Sequence, residues 1–223
     1  MASWAKRVLE LEQIVYHPAA AAQPLLRGLN LRLRLGEPAL VAGRSGSGKS
    51  TLLEIMAGLA SPDQGQILWQ GKPTTVRERR WLTGLVFQFP ERHFLGLSVG
   101  QELRLGHRRL PSERAAAALA QVGLAGLSFQ QAPERLSGGQ QRRLALAVQL
   151  LRDPPILLLD EPTAGLDWSV RRELLELLGP LSRDRLLLLV THEPECFEGL
   201  VQQRWRLEQG RCVAFDQAQL SNG

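Results

Sequence analysis

The chain has 223 residues, 44% of them hydrophobic and 22% charged, a balance that suits one domain, or one domain with an inserted lobe, and excludes a disordered polypeptide. Its net charge of +5 rests on arginines scattered in pairs such as Arg79-Arg80, Arg108-Arg109 and Arg142-Arg143, which read as solvated surface rather than a nucleic-acid footprint and are compatible with a nearby anionic membrane. Apolar runs such as 156–159 and 186–190 fall far short of the roughly 20 residues that span a bilayer. The first seven residues lack a signal-peptide core, and Cys196 and Cys212, without CxxC spacing, read as packed or idle thiols.

Along the chain, Leu29, Leu31, Leu33 and Leu35 alternate with Asn30, Arg32 and Arg34, the period of a half-buried, antiparallel strand. After the turn at Gly36-Glu37-Pro38, the apolar run 39–42 predicts a buried strand leading through a glycine-rich segment into a helix over 51–59. From about residue 91 to 152 the pattern is helical, with start signals at Ser98 and Ser137, each followed three residues on by a glutamine. Asp153-Pro154-Pro155 ends it. A strand at 156–159, a helix at 170–178 and a strand at 186–190 follow, and 204–207 with 212–215 predicts a hairpin. The expectation is a single domain: an α/β core from residues 1–90 and 156–223, interrupted by a helical lobe over about 91–155.

Gly43-Arg44-Ser45-Gly46-Ser47-Gly48-Lys49-Ser50, continued by Thr51, matches G-x-x-x-x-G-K-[ST] between a predicted strand and a predicted helix. The glycines let backbone N–H groups turn inward around phosphate oxygens, Lys49 brings a compact charge to the outer phosphates, and the Ser50 hydroxyl can ligate Mg²⁺. Asp160 and Glu161 leave the strand at 156–159 side by side. In phosphoryl transfer Asp160 would hold Mg²⁺, directly or through water, while Glu161 orients and deprotonates the attacking water. Leu136-Ser137-Gly138-Gly139-Gln140 joins a helix cap to two bare glycines. Capping explains Ser137 and Gln140 but not the glycines, which leave N–H groups open to an anion.

With that last segment the sequence resembles the ATP-binding-cassette (ABC) family, over essentially the whole chain and with the motifs in the family's order. The resemblance implies a P-loop, RecA-like α/β core with an N-terminal antiparallel β subdomain and an inserted α-helical subdomain, and an ATPase that uses ATP and Mg²⁺. Tyr16 resembles the aromatic residue that stacks on adenine, although by itself it reads as an ordinary half-buried tyrosine. Gln88 resembles the glutamine that senses Mg²⁺ and the γ-phosphate. Asp167, in Ala164-Gly165-Leu166-Asp167, resembles the loop that communicates across a dimer, and His192 the histidine that contacts the γ-phosphate. One chain carries one copy of each motif. The resemblance therefore implies a head-to-tail pair, a homodimer or a heterodimer with a related ATPase, in which Ser137, Gly138, Gly139 and Gln140 of one subunit close over ATP held by the other.

Val86-Phe87-Gln88-Phe89-Pro90-Glu91-Arg92-His93-Phe94 resembles the corresponding loop in ATPases of energy-coupling-factor (ECF) importers and their cyanobacterial and plastid relatives. This implies separate transmembrane subunits docking near residues 88–97, with Phe89, Phe94 and Leu95 as apolar contacts unless these pack inside the helical lobe. It further implies uptake of a micronutrient, a vitamin or a metal ion, a peripheral position on the cytoplasmic or stromal face of a membrane, and no nucleic-acid partner. ECF ATPases commonly carry a C-terminal dimerisation extension, whereas this sequence ends eight residues after Phe215, so nucleotide and the membrane partner are expected to hold the dimer. The alternatives are the ATPase of a lipid or lipoprotein exporter and a soluble, non-transport ABC ATPase. The latter class usually shows tandem cassettes, coiled-coil insertions or zinc motifs, none of which is visible here.

Overall fold

Two sheets organise residues 7–215, the part of the chain that the computed structural model describes. Strands β1 (Val8–Tyr16) and β2 (Leu26–Arg34) pair antiparallel. β3 (Ala39–Ala42) leads through the glycine-rich turn into α1 (Lys49–Met56). β4 (Gln64–Trp69) and β5 (Lys72–Pro73) complete an antiparallel sheet of order β2-β1-β4-β5. After α2 (Val76–Leu82) and β6 (Thr83–Val86) come three helices, α3 (Val99–Arg104), α4 (Ser112–Gln121) and α5 (Gly138–Leu150). β7 (Ile156–Asp160), α6 (Trp168–Asp184), β8 (Leu186–Thr191), β9 (Gln203–Glu208) and β10 (Arg211–Ala214) follow. The second sheet has the order β10-β9-β3-β8-β7-β6, parallel throughout except for the β9–β10 hairpin.

The parallel strands β3, β6, β7 and β8 are buried on both faces, which is why β7 and β8 read as unbroken apolar runs. Alternate side chains serve different clusters. Leu157, Leu159, Leu187 and Leu189 pack with Leu103, Leu144 and Leu178 of the helical side. Ile156, Leu158, Leu186 and Leu188 pack with Leu52 and Leu53 of α1 and with Leu9 and Leu31 of the antiparallel sheet. Each such buried side chain contributes about 1.5–3 kcal/mol. Together they fix the ends of β3, β7 and β8, from which the chemistry-bearing residues emerge.

The predicted strand through Leu35 ends at Arg34, because Leu35 enters the turn at Gly36. β1 is concealed from a period-two reading by register shifts between Leu11 and Val15, where Gln13 takes a φ of 51°. α6 runs beyond the predicted 170–178 and through Pro180, because Leu174, Leu178 and Leu181 keep one face buried. The arginine pairs need correction: Arg79 and Arg142 are buried, not solvated. Arg79 donates to the carbonyls of Ile55 (3.1 Å) and Thr74 (3.0 Å) and anchors α2, a helix with no buried apolar residue. Among the described residues no helix is long and apolar enough to cross a membrane.

Candidate nucleotide-binding site

A cavity of about 440 Å³ opens where β3, β7 and β8 end. Ser45, Gly46, Gly48, Lys49, Ser50 and Thr51 line one side of it, and Gln88, Asp160, Glu161 and His192 the other. The turn forms because Gly48 adopts a φ of 103°, which a residue with a Cβ rarely takes, immediately before α1 begins. Lys49 is 7% exposed, and its Nζ donates to the carbonyls of Gly43 (2.8 Å) and Arg44 (3.2 Å). Those two residues shape the loop without lining the cavity, and the Ser47 hydroxyl is buried within it.

Glu161 is the hub of the opposite wall. Its φ of 45° is a left-handed backbone on a non-glycine residue, a conformation that costs of order 1–3 kcal/mol and persists only where the surroundings impose it. Oε1 lies 2.9 Å from His192 Nδ1 and 3.5 Å from Lys49 Nζ. Oε2 accepts from Thr191 Oγ1 (2.9 Å) and from the His192 backbone N–H (3.3 Å). Thr191 itself is buried and accepts from the Glu193 N–H at 3.0 Å, so the carboxylate is aimed by a fixed partner. A carboxylate so oriented can take a proton from water, and the half-exposed imidazole beside it can meet a phosphoryl oxygen.

Burial pushes the Asp160 carboxyl above its ordinary range; a hydrogen bond with Ser50 opposes this, Glu161 adds to it, and Lys49 relieves it. Its Oδ1 is buried without a hydrogen-bond partner among the described residues. A buried lone carboxylate oxygen beside a serine hydroxyl, with Gln88 across the cavity, fits Mg²⁺, a hard cation that takes few protein ligands and completes its shell with phosphate oxygens and water. No group of three or more His, Cys, Asp or Glu residues suited to a metal occurs among the described residues.

The remaining expected residues lie elsewhere. Tyr16 ends β1 half-buried against the α1-side cluster and does not line the cavity. Leu25, whose N–H bonds the Tyr16 carbonyl at 2.8 Å, does line it, and no sequence pattern marked it. Ser137 caps α5, accepting from the Gln140 N–H (3.3 Å) while Gln140 Oε1 accepts from the Ser137 N–H (2.9 Å). Gly139 packs so closely on α6 that a Cβ would meet Val170 Cγ1 at 2.5 Å, whereas Gly138 faces open space. Ser137, Gly138, Gly139, Gln140 and Asp167, which precedes α6, do not line the cavity of their own chain. Sequence reasoning also missed Thr191 and the buried Arg142, which donates to the carbonyls of Gln88, Pro162 and Ala164.

Comparison with known proteins gives this geometry its context. A family model described as ABC transporter matches residues 26–164. The chain belongs to the ATP-binding domains of ABC transporters. Like other members of that family, this ABC domain binds ATP and is an ATPase. It is 36% identical to ABC transporter I family member 11, chloroplastic, of Arabidopsis thaliana, over 95% of this chain and 82% of that protein. It is 38% identical to the energy-coupling factor transporter ATP-binding protein EcfA2 of Symbiobacterium thermophilum, over 83% of this chain and 69% of that protein. The solved structure of cbiO1 from Clostridium perfringens, part of the ABC transporter complex cbiONQ, matches with a TM-score of 0.83 at 29% identity, covering 93% of this chain and 87% of that one.

Proposed function

We propose that this ABC ATPase works as a head-to-tail dimer, of two copies or with a related ATPase, and powers an ECF-type importer of a micronutrient through separate membrane subunits. In this reading Lys49 and the turn around it hold the phosphates, and Ser50, Gln88 and Asp160 would hold Mg²⁺. Bound there, the metal would supply charge neutralisation at the transferring phosphoryl group. Glu161 takes the proton of the attacking water, and His192 steadies the γ-phosphate. That the Ser137 segment does not line the cavity of its own chain supports closure by a second subunit, and the resemblance to an ECF ATPase supports import. The ATPase would then lie peripherally on the cytoplasmic or stromal face of the membrane.

One observation carries the membrane-partner reading. Glu102, 5% exposed, accepts from the N–H groups of Leu95 (2.9 Å) and Gly96 (2.7 Å), and the loop so tethered turns Leu95 and Leu97 outward, each 80% exposed. Phe89 is also exposed, under the Arg92 guanidinium at 4.6 Å, whereas Phe94 packs inward against the helical cluster and leaves the expected contact set. An apolar loop held outward in this way suits a docking surface.

The test is recovery of a tagged chain from its host membranes in detergent. An energy-coupling transmembrane protein should accompany it. Leu95→Asp combined with Phe89→Ala should lower that recovery by about tenfold or more without changing ATP affinity, as loss of buried apolar anchors does. Recovery of a lipid- or lipoprotein-exporting permease, or undiminished recovery by the variant, would overturn the reading.

A further inference from the structure

Arg171, one turn into α6, spans the two chain segments that flank Glu161. Its Nε donates to the Leu166 carbonyl at 2.8 Å, at the end of the turn that follows Glu161. Its Nη1 lies 3.0 Å from Oε2 of Glu193, the residue after His192, and also donates to Cys196 Sγ at 3.4 Å. Neither Arg171 nor Glu193 lines the nucleotide cavity. α6 gives the guanidinium a rigid base, because Leu174, Leu178 and Leu181 are buried. From the ion pair the contacts run on into the site. The Glu193 N–H donates to Thr191 Oγ1 (3.0 Å), which donates to Glu161 Oε2 (2.9 Å), and His192 Nδ1 lies 2.9 Å from Glu161 Oε1. β8 ends at Thr191, so the sheet holds the half-exposed His192 from one side, and the Arg171–Glu193 pair tethers it from the other.

We propose that Arg171 is a positioning residue for hydrolysis, acting through Glu193 to keep the His192 imidazole on Glu161. The inference rests on the roles given above to Glu161 and His192 and adds the group that holds them in register. Reacting groups tolerate little slack: a misplacement of about 1 Å can cost roughly 10²-fold in rate. The pair itself adds little to global stability, because its side chains are 27% and 33% exposed and water and salt screen them. Its signature is therefore a slower chemical step in a chain that stays folded and still binds ATP. Arg172, the next residue, makes the contrast. It pairs with Glu176 on its own helix at 3.7 Å and covers the Trp168 ring at 5.0 Å, away from both flanks of Glu161.

The test measures phosphate release, ATP affinity and thermal unfolding of the full chain. Arg171→Met should lower kcat by about tenfold or more, with ATP affinity within about threefold of wild type. Arg171→Lys should recover about half of the wild-type rate or more, since a flexible ammonium still reaches the Glu193 carboxylate. Glu193→Leu should match Arg171→Met, and combining the two should slow hydrolysis by no more than about twofold further, as coupled groups do. Arg172→Met removes the same charge and should stay within about twofold of wild type. A wild-type rate for Arg171→Met, losses that multiply in the double variant, or no recovery with lysine would each overturn the proposal. So would a parallel fall in rate, ATP affinity and melting temperature, the pattern of unfolding. Wild-type hydrolysis by both Glu161→Gln and His192→Ala would sink the roles assigned above and this inference with them. Slow hydrolysis by those two beside a fast Arg171→Met would sink this inference alone.

Discussion

Arg142, buried in α5, donates from Nη2 to the main-chain carbonyl of Gln88 at 3.1 Å. Its Nη1 reaches the carbonyls of Pro162 (2.8 Å) and Ala164 (2.9 Å), just beyond Glu161. One side chain on the helix that begins at Ser137 therefore ties together the loops carrying Gln88 and Glu161. Hydrogen bonds to a charged group contribute about 1.5–3 kcal/mol each, and Arg142→Met would strand three carbonyls. Thermal stability should fall, and phosphate release should drop by about tenfold or more while ATP affinity stays within about threefold, because Arg142 does not line the cavity. Arg142→Lys should not rescue, since one ammonium cannot span all three acceptors. Calorimetry beside phosphate release separates this from simple unfolding, in which both quantities would fall together.

The two neighbouring carboxylates should fail differently. Glu161→Gln keeps the contacts from Thr191 and the His192 N–H but cannot take a proton, so hydrolysis should fall by roughly 10²–10⁴-fold with ATP and Mg²⁺ still bound. Asp160→Asn removes charge at the buried Oδ1 and Ser50 position, so the Mg²⁺ dependence of nucleotide binding should weaken instead. Phosphate release and ATP titrations with and without Mg²⁺ distinguish them. Variants that behave alike would take Glu161 out of the role assigned to it.

Much of this was legible because the chemistry sits where apolar runs stop. The runs 39–42, 156–159 and 186–190 mark buried strands, and the residues following each run line the cavity or hold it, as do Lys49, Glu161 and His192. Ser98 and Ser137 cap helices as their glutamines foretold. The rest lacked a one-dimensional signal. α2 is anchored by a guanidinium rather than an apolar face, and β4, with three exposed residues at its start, has little alternation to read. Arg142 looks like half of a surface pair with Arg143, and only packing reveals that its acceptors lie 20, 22 and 54 residues away.

Complementation tests the shared site. Ser137→Arg should leave ATP binding intact and abolish hydrolysis, and Lys49→Ala should abolish binding by removing the cation that now bridges Gly43, Arg44 and Glu161. Neither variant should hydrolyse ATP alone. Mixed in equal amounts they should regain activity, up to about a quarter of the wild-type sites for random pairing, because one composite site is then whole. Phosphate release that stays at background in the mixture would count against a site built from two chains.

The thiols give an independent check on the edge of the parallel sheet. Burial pushes the Cys212 thiol up to about 12, and it raises Cys196 as well, with Arg171 opposing. At pH 8 about one Cys212 in 10⁴ is then thiolate, so its alkylation by iodoacetamide should be about a hundredfold or more slower than that of a free thiol. Mass spectrometry of the labelled chain measures this. Rapid labelling under native conditions would mean that β10 opens from the sheet edge.

The β7–β8 ladder has a property that its leucines hide. Ile156 opposes Leu186, Leu157 opposes Leu187, and so on to Asp160 and Val190. Sliding one strand by a rung exchanges leucine for leucine, so solvent exclusion alone scarcely tells one alignment from the next. The discriminating bonds are at the ends of the ladder: Leu186 N–H to the Pro155 carbonyl, Glu161 N–H to the Val190 carbonyl, both 2.9 Å, and Thr191 to the Glu161 carboxylate. A slip of one rung would cost few apolar contacts yet carry Glu161 about 3.3 Å along the strand, out of reach of its partners. The groups arranged for chemistry thus also serve as the index marks by which two nearly uniform strands find their alignment.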